Sequence, residues 1–128
     1  FTFSIHGENN FPFKKEQSDL DLGLADGCSN ETYLSSLQDC LDQLDARFKA
    51  DCLIYLAGAD PHEGDRLGRL KLSKDGMRLR DEMVFQYALD RKLPIAMSMA
   101  GGYGKEIEST VEIHFQTIKT ALRFQKQY

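Results

Sequence analysis

Three loops in this sequence carry residues whose types and spacing could do chemistry. The first is Ala57-Gly58-Ala59-Asp60-Pro61-His62-Glu63-Gly64-Asp65. Small residues ahead of Asp60 let the backbone approach a site closely. Carboxylate and imidazole are ordinary zinc ligands, so Asp, His and Asp together could make an open catalytic metal site. Aspartate before proline is also a common turn. His62 and Glu63 could serve as ligand and base, but the helical H-E-x-x-H spacing of a metalloprotease is missing, and both are expected on a solvated loop. Asp65, Arg66 and Arg69 are expected to form a local ion-pair cluster that shapes the loop.

The second loop is Ala100-Gly101-Gly102-Tyr103-Gly104. Its glycines can set a phenol into a cleft, where it could donate a hydrogen bond to a developing oxyanion. Packing on the loop is the plainer role for such an aromatic. A phosphate-cradling loop is a poor reading, because no Lys-Ser/Thr follows the glycines. The third loop runs from His6 to Phe13 and ends in the aromatic cluster Phe11-Pro12-Phe13, either a satellite core or the wall of an apolar channel. His6 and His114 are expected to be structural, His114 as a satisfied packing residue on the last helix.

Each loop follows a predicted strand. Phe1 to Ile5 alternates apolar and polar residues, as does Leu20 to Leu24. Cys52 to Ala57 and Ile95 to Met99 read as short buried strands. Ser29 or Asn30 can cap a helix running to about Lys49, with Leu34, Leu37, Leu41, Leu44 and Phe48 as its apolar stripe. Ser73 can cap a second helix carrying Met77, Met83, Val84 and Tyr87, and Pro94 follows it. A last helix shows Ile107, Val111, Phe115, Ile118 and Leu122 on one face. This alternation predicts an α/β layer structure with a mostly parallel sheet, one unit over residues 1–128. In open α/β sheets ligands bind beyond the carboxyl ends of the strands, so the three loops are expected to gather at one edge. A strand pattern at Phe1, with no initiator Met, predicts further sequence before it.

Composition narrows the function classes. Apolar residues make up 41% and charged residues 28% of the 128, with a net charge of −4, which argues against a nucleic-acid surface. No apolar run approaches the length of a membrane span, and no signal peptide is visible. Cys28, Cys40 and Cys52 have no CxxC spacing, which predicts neither a disulfide framework nor a thiolate zinc site. Cys40 and Cys52 are expected to be buried, in a reducing, cytoplasmic compartment.

Four segments together resemble the histone deacetylase family, including its bacterial acetoin-utilisation and acetylpolyamine-amidohydrolase types, and the wording around Gly64 to Leu70 looks most like the bacterial class. They are Ser4-Ile5-His6-Gly7-Glu8-Asn9-Asn10-Phe11-Pro12-Phe13, Gly58-Ala59-Asp60-Pro61, Gly64-Asp65-Arg66-Leu67-Gly68 and Gly101-Gly102-Tyr103. Their order and spacing match over essentially the whole chain. The resemblance implies the carboxyl-terminal part of a three-layer α/β/α arginase/deacetylase-like fold. It implies zinc-dependent hydrolysis of the amide of an acetylated lysine or related acetylated amine. Asp60 resembles the last of three zinc ligands, and Tyr103 the phenol that polarises the acetyl carbonyl and stabilises the oxyanion. Phe11, Gly101 and Gly102 resemble residues of the substrate channel. Ser4 and Ile5 resemble positions that hold a structural monovalent cation, potassium. The family's first two zinc ligands, in an Asp-x-His motif, and its paired histidines are expected in an amino-terminal half ahead of Phe1. The chain has no His-His pair, and the resemblance gives His62 no ligand role, so residues 1–128 alone are expected to be inactive. A non-catalytic α/β module that binds a partner through an exposed sheet edge is the alternative. A relative of the arginase-like manganese hydrolases is a weaker reading, because their further acidic ligands are not found around Asp60.

Overall fold

The computed structural model describes residues 1–127. Strand β1 (Phe3–Gly7) pairs in parallel with β2 (Leu20–Leu24), from Phe3 opposite Leu20 to Gly7 opposite Leu24. Helix α1 (Asn30–Arg47) follows, then β3 (Leu53–Ala57), helix α2 (Lys74–Asp90), β4 (Ile95–Met99) and helix α3 (Ile107–Gln125). β3 and β4 pair in parallel from Leu53 opposite Ile95 to Ala57 opposite Met99. Parallel neighbours need a crossover. The β3–α2–β4 unit supplies one through a helix, whereas β1 and β2 are joined by the aromatic loop. The strands are parallel, as expected, but among the described residues they form two two-stranded sheets.

Strand β1 starts at Phe3 and continues through His6 and Gly7, which the alternation alone assigns to a loop. The Glu8 N–H prolongs the ladder by donating to the Leu24 carbonyl at 2.8 Å. Ser29 caps α1 by accepting from the Thr32 N–H at 3.4 Å, and Ser73 caps α2 by accepting from the Gly76 N–H at 3.1 Å. Asn30 joins the two helix starts. Its Oδ1 accepts from the Ser73 N–H at 2.9 Å and its Nδ2 donates to Ser73 Oγ at 2.8 Å. A Cβ at position 76 would lie 2.0 Å from Asn30 Oδ1, so Gly76 is what lets the two ends meet.

Leu37, Leu41 and Leu44 of α1 are buried as expected, together with Tyr33 and Cys40. Phe48 lies beyond the helix end, exposed, and stacks on Phe1 with ring centroids 5.4 Å apart. Met77, Val84 and Tyr87 of α2 join the same core, with Leu70, Leu72 and Leu93. Cys40 is buried but Cys52 is exposed, because it precedes the first residue of β3; all three cysteines are free thiols.

Helix α3 turns its threonine-rich side inward. Thr110, Ile113, Thr117, Thr120 and Phe124 are buried, and α3 packs on α2. The apolar row Ile107, Val111, Phe115, Ile118 and Leu122 points outward, 41–66% exposed. Periodicity identifies a face and not its partner. The small Thr side chains permit close approach to α2, and one of their hydroxyls has a buried carboxylate to satisfy. Ile54 and Leu56 of β3 are exposed as well. No helix of the described residues is long and apolar enough to cross a membrane.

Candidate functional site

Because Ala57 is opposite Met99, the loops that follow β3 and β4 leave the sheet side by side. The Ala59 N–H donates to the Gly101 carbonyl at 2.6 Å, extending the ladder to the threshold of Asp60. The Asp60 carboxylate lies over two glycines. A Cβ on Gly58 would be 2.4 Å from its Oδ1, and one on Gly101 would be 3.4 Å away. Side chains at either position would fill the space the carboxylate uses. Burial raises the Asp60 pKa above the usual carboxylate value; the negative charge of Asp65 adds to this, while its own backbone N–H and Arg80 oppose it.

Asp65 does not join the expected ion-pair cluster. It is buried, only 4% exposed, and accepts three backbone N–H groups. Oδ1 takes Leu67 at 2.8 Å and Gly68 at 2.7 Å, and Oδ2 takes Tyr103 at 2.5 Å. The two arginines bind elsewhere. Arg66 donates from its backbone N–H and its Nε to the Tyr103 carbonyl, at 3.0 and 3.3 Å, and Arg69 pairs with Asp26 at 2.9 Å. A buried carboxylate needs several strong donors close by, and the turn at 65–68 presents backbone N–H groups where a long arginine side chain would reach past. Tyr103 itself is 59% exposed, so its phenol is free to meet a ligand.

The triplet Asp60-Pro61-His62 has Asp-x-His spacing, but His62 is occupied within its own loop. Its Nδ1 accepts from the Gly64 N–H at 3.1 Å, and its backbone N–H donates to the Ala59 carbonyl at 3.1 Å. His62 is buried and not solvated, and that burial pushes its pKa down; Glu63 is exposed as expected. Among the described residues no three His, Cys, Asp or Glu side chains gather where they could hold a metal ion.

Phe11 stands on the neighbouring loop, 84% exposed and edge-on to Phe13 at 6.1 Å. That loop is tied to the Asp60 loop by Asn10 Oδ1, which accepts from the Arg69 N–H at 3.1 Å. Ser4 and Ile5 lie within β1, in the other sheet; Ser4 Oγ is hydrogen-bonded to His6 Nδ1 at 2.8 Å, and Ile5 packs half-buried against the core. The structure therefore brings Asp60, Gly101, Gly102 and Tyr103 together, ties in the Phe11 loop by one bond, and leaves Ser4 and Ile5 in a separate ladder.

Sequence reasoning missed what lies beneath. Arg80 and Asp81 are buried side by side in α2. Arg80 Nη1 donates to the Gly58 carbonyl at 2.6 Å, just behind Asp60. Arg80 Nε and Nη2 donate to Asp81 Oδ1 at 2.9 and 2.7 Å. The hydroxyl of Tyr55 also donates to Oδ1, and that of Thr117 to Oδ2, each at 2.6 Å. A signal existed: both charges share the face of Met77, Val84 and Ala88, where a helix places its core residues. His114 of α3 is not the satisfied packing residue expected. Its Nδ1 is buried without a hydrogen-bond partner among the described residues, and burial pushes its pKa down.

Comparison with known proteins places the chain in a family. A family model described as the histone deacetylase domain matches residues 1–118. An uncharacterized protein of Picosynechococcus is 43% identical over 114 residues, covering 89% of this chain and 38% of its own length. Histone deacetylase 2 of Arabidopsis thaliana is 38% identical over 87 residues, covering 68% of this chain and 22% of its own. The crystal structure of a histone deacetylase homologue from Aquifex aeolicus superposes with a TM-score of 0.77 at 20% identity, covering 92% of this chain and 33% of that one. The chain thus spans well under half the length of these relatives. Its strands and helices are those of a segment of the deacetylase fold, and its sequence matches the domain model almost from end to end: the chain belongs to the histone deacetylase family.

Proposed function

We propose that residues 1–128 are part of a zinc-dependent deacetylase acting on an acetylated lysine or related acetylated amine, with Asp60 as a zinc ligand and Tyr103 as the donor to the oxyanion. The observation that carries this reading is the placement of Asp60 beside the Gly101–Tyr103 segment at the ends of two paired parallel strands. The chain's residues fit one position of a zinc site. Asp60 is half-buried, its pKa is raised by that burial, and glycines clear the space around its Oδ1. A catalytic zinc site takes three protein ligands; the other two, and the histidine pair that moves protons, would come from another segment of the protein. Zinc, when bound, supplies Lewis acidity towards a water and the substrate carbonyl. Tyr103 donates its phenolic hydrogen to the oxygen of that carbonyl as negative charge develops there. Gly101 and Gly102 leave room for the acyl group, and exposed Phe11 offers an apolar wall for the methylenes of the amine. In the same reading Ser4 and Ile5 would help hold a structural potassium.

The test uses the full-length polypeptide, with zinc content and kinetics on an acetyl-lysine substrate. Asp60→Ala is expected to lose zinc. Tyr103→Phe should keep its zinc and lose about 10²–10³-fold in kcat, the usual cost of one oxyanion donor. Zinc loss in Tyr103→Phe, or full activity in either variant, would overturn these roles.

A non-catalytic module that binds a partner through a sheet edge is the second reading. Both sheets have only two strands among the described residues, so each strand keeps one unpaired edge, and such edges invite pairing. Unaltered function of the Asp60→Ala protein alongside loss of a partner on edge substitution would favour it.

A further inference from the structure

We infer that Asp65 is a positioning residue for Tyr103, holding the tyrosine through its backbone N–H; this rests on the reading of Tyr103 as the oxyanion donor. The phenol is largely exposed, so packing does not fix where it points. Its main chain is fixed instead. The Tyr103 N–H is held by Asp65 Oδ2 at 2.5 Å, and its carbonyl by the N–H and Nε of Arg66. The Lys105 N–H donates to the Gly64 carbonyl at 2.9 Å, and Asp65 forms an antiparallel bridge with Gly104. The segment around Asp65 is thus a clip that grips the tyrosine from both sides. The same segment closes beneath the candidate ligand, because a Cβ on Gly68 would lie 2.0 Å from the Asp60 carbonyl oxygen.

The two oxygens of Asp65 have separate duties. Oδ1 accepts the N–H groups of Leu67 and Gly68 and so closes the loop on itself. Oδ2 reaches across 38 residues to Tyr103. Only a carboxylate can accept on both sides. An asparagine has one acceptor oxygen, which two donors claim at the Oδ1 position, and its NH₂ would then face the Tyr103 N–H. Asp65→Asn therefore keeps the shape and the turn and cuts the tether. A misplacement of about 1 Å at a reacting group can cost on the order of 10²-fold in rate.

The experiment is a double-mutant cycle in the full-length zinc-loaded protein, using Asp65→Asn, Tyr103→Phe and the pair, with kcat, KM and zinc content measured on an acetyl-lysine substrate. Asp65→Asn should lower kcat by about 10–10²-fold with zinc content and KM kept. In the Tyr103→Phe background the same change should cost less than about 2-fold, because the phenol it positions has gone. An equal loss in both backgrounds would make Asp65 a purely structural residue and overturn the inference while leaving the role of Tyr103 intact. Full activity of Tyr103→Phe alone would instead remove the oxyanion role, and the inference with it. Amide hydrogen exchange in the unmutated protein adds a check that needs no variant. The Tyr103 N–H should exchange slowly although its side chain is exposed; rapid exchange there would refute the tether.

Discussion

Asp81→Ala offers the most direct test of what holds the Asp60 loop in place. The Asp81 carboxylate is 1% exposed and accepts from Arg80 twice, from Tyr55 and from Thr117. Removing it leaves the buried Arg80 guanidinium with the Gly58 carbonyl and the face of the Tyr55 ring, and no carboxylate in direct ion-pair contact. Breaking a buried ion pair from one side costs about 3–5 kcal/mol, most of it the penalty of the stranded charge. Tyr55→Phe and Thr117→Val each delete one hydrogen bond to a charged acceptor, worth about 1.5–3 kcal/mol. The expected order is therefore Asp81→Ala as the most destabilising, with Tyr55→Phe and Thr117→Val below it. Replacing both partners, Arg80→Met with Asp81→Ala, should recover part of the loss, since apolar replacement of a whole buried pair is often neutral or better. Urea unfolding of the full-length protein followed by circular dichroism reads this as a shift in midpoint at constant slope. A cost below about 1 kcal/mol for Asp81→Ala would refute the stranded-charge argument. So would a double variant less stable than Asp81→Ala itself.

Two further predictions concern the metal. The folded-state pKa of Asp60 is raised above its unfolded value, so the native protein binds more protons in the interval between the two, and stability falls as pH rises through it. In protein stripped of metal, Asp60→Asn should thus melt at a higher temperature than the parent at pH 7 and lose that advantage below about pH 4, with excess zinc reversing the order; an Asn variant that melts lower at pH 7 without metal contradicts this. The polypeptide of residues 1–128 alone should show no tight zinc binding by calorimetry and no zinc-dependent turnover of a fluorogenic acetyl-lysine substrate, because one carboxylate cannot compete with solvent for the ion. Submicromolar affinity with turnover would force a search for other ligands among His6, His62, Glu63 and Asp65.

The order of elements was legible because local signals agreed. Serines capped two helices, glycine-rich loops followed strands, and the apolar spacing of α1 matched its buried side. The candidate site was legible as short words around Asp60 and Tyr103. What hid from the sequence was tertiary. Nothing local says that Asp65 prefers three backbone N–H groups to two nearby arginines, since that choice depends on Tyr103, far along the chain. Nothing local says that α3 buries threonines and exposes its apolar row, since the inward face includes a Thr117 hydroxyl whose partner, Asp81, lies far along the chain. Arg80 and Asp81 were visible as charges on a core-facing stripe, yet pairing between adjacent residues on a helix is not a pattern that periodicity reveals.

Three carboxylates lie in or behind the end of the β3–β4 ladder, and the way each is satisfied separates their roles. Asp81 is held by side chains from β3, α2 and α3, which is the arrangement of a residue that locks elements together. Asp65 is held by backbone N–H groups of its own loop and of Tyr103, which fits a residue that fixes main-chain geometry. Asp60 is half-buried, Gly58 and Gly101 leave room beside its Oδ1, and its pKa is raised because burial outweighs its own N–H and Arg80. Asp81 and Asp65 are thus bound by side chains and backbone on all sides, whereas Asp60 keeps its carboxylate beside two glycines at the end of the ladder, and that contrast is what sets it apart as the candidate ligand.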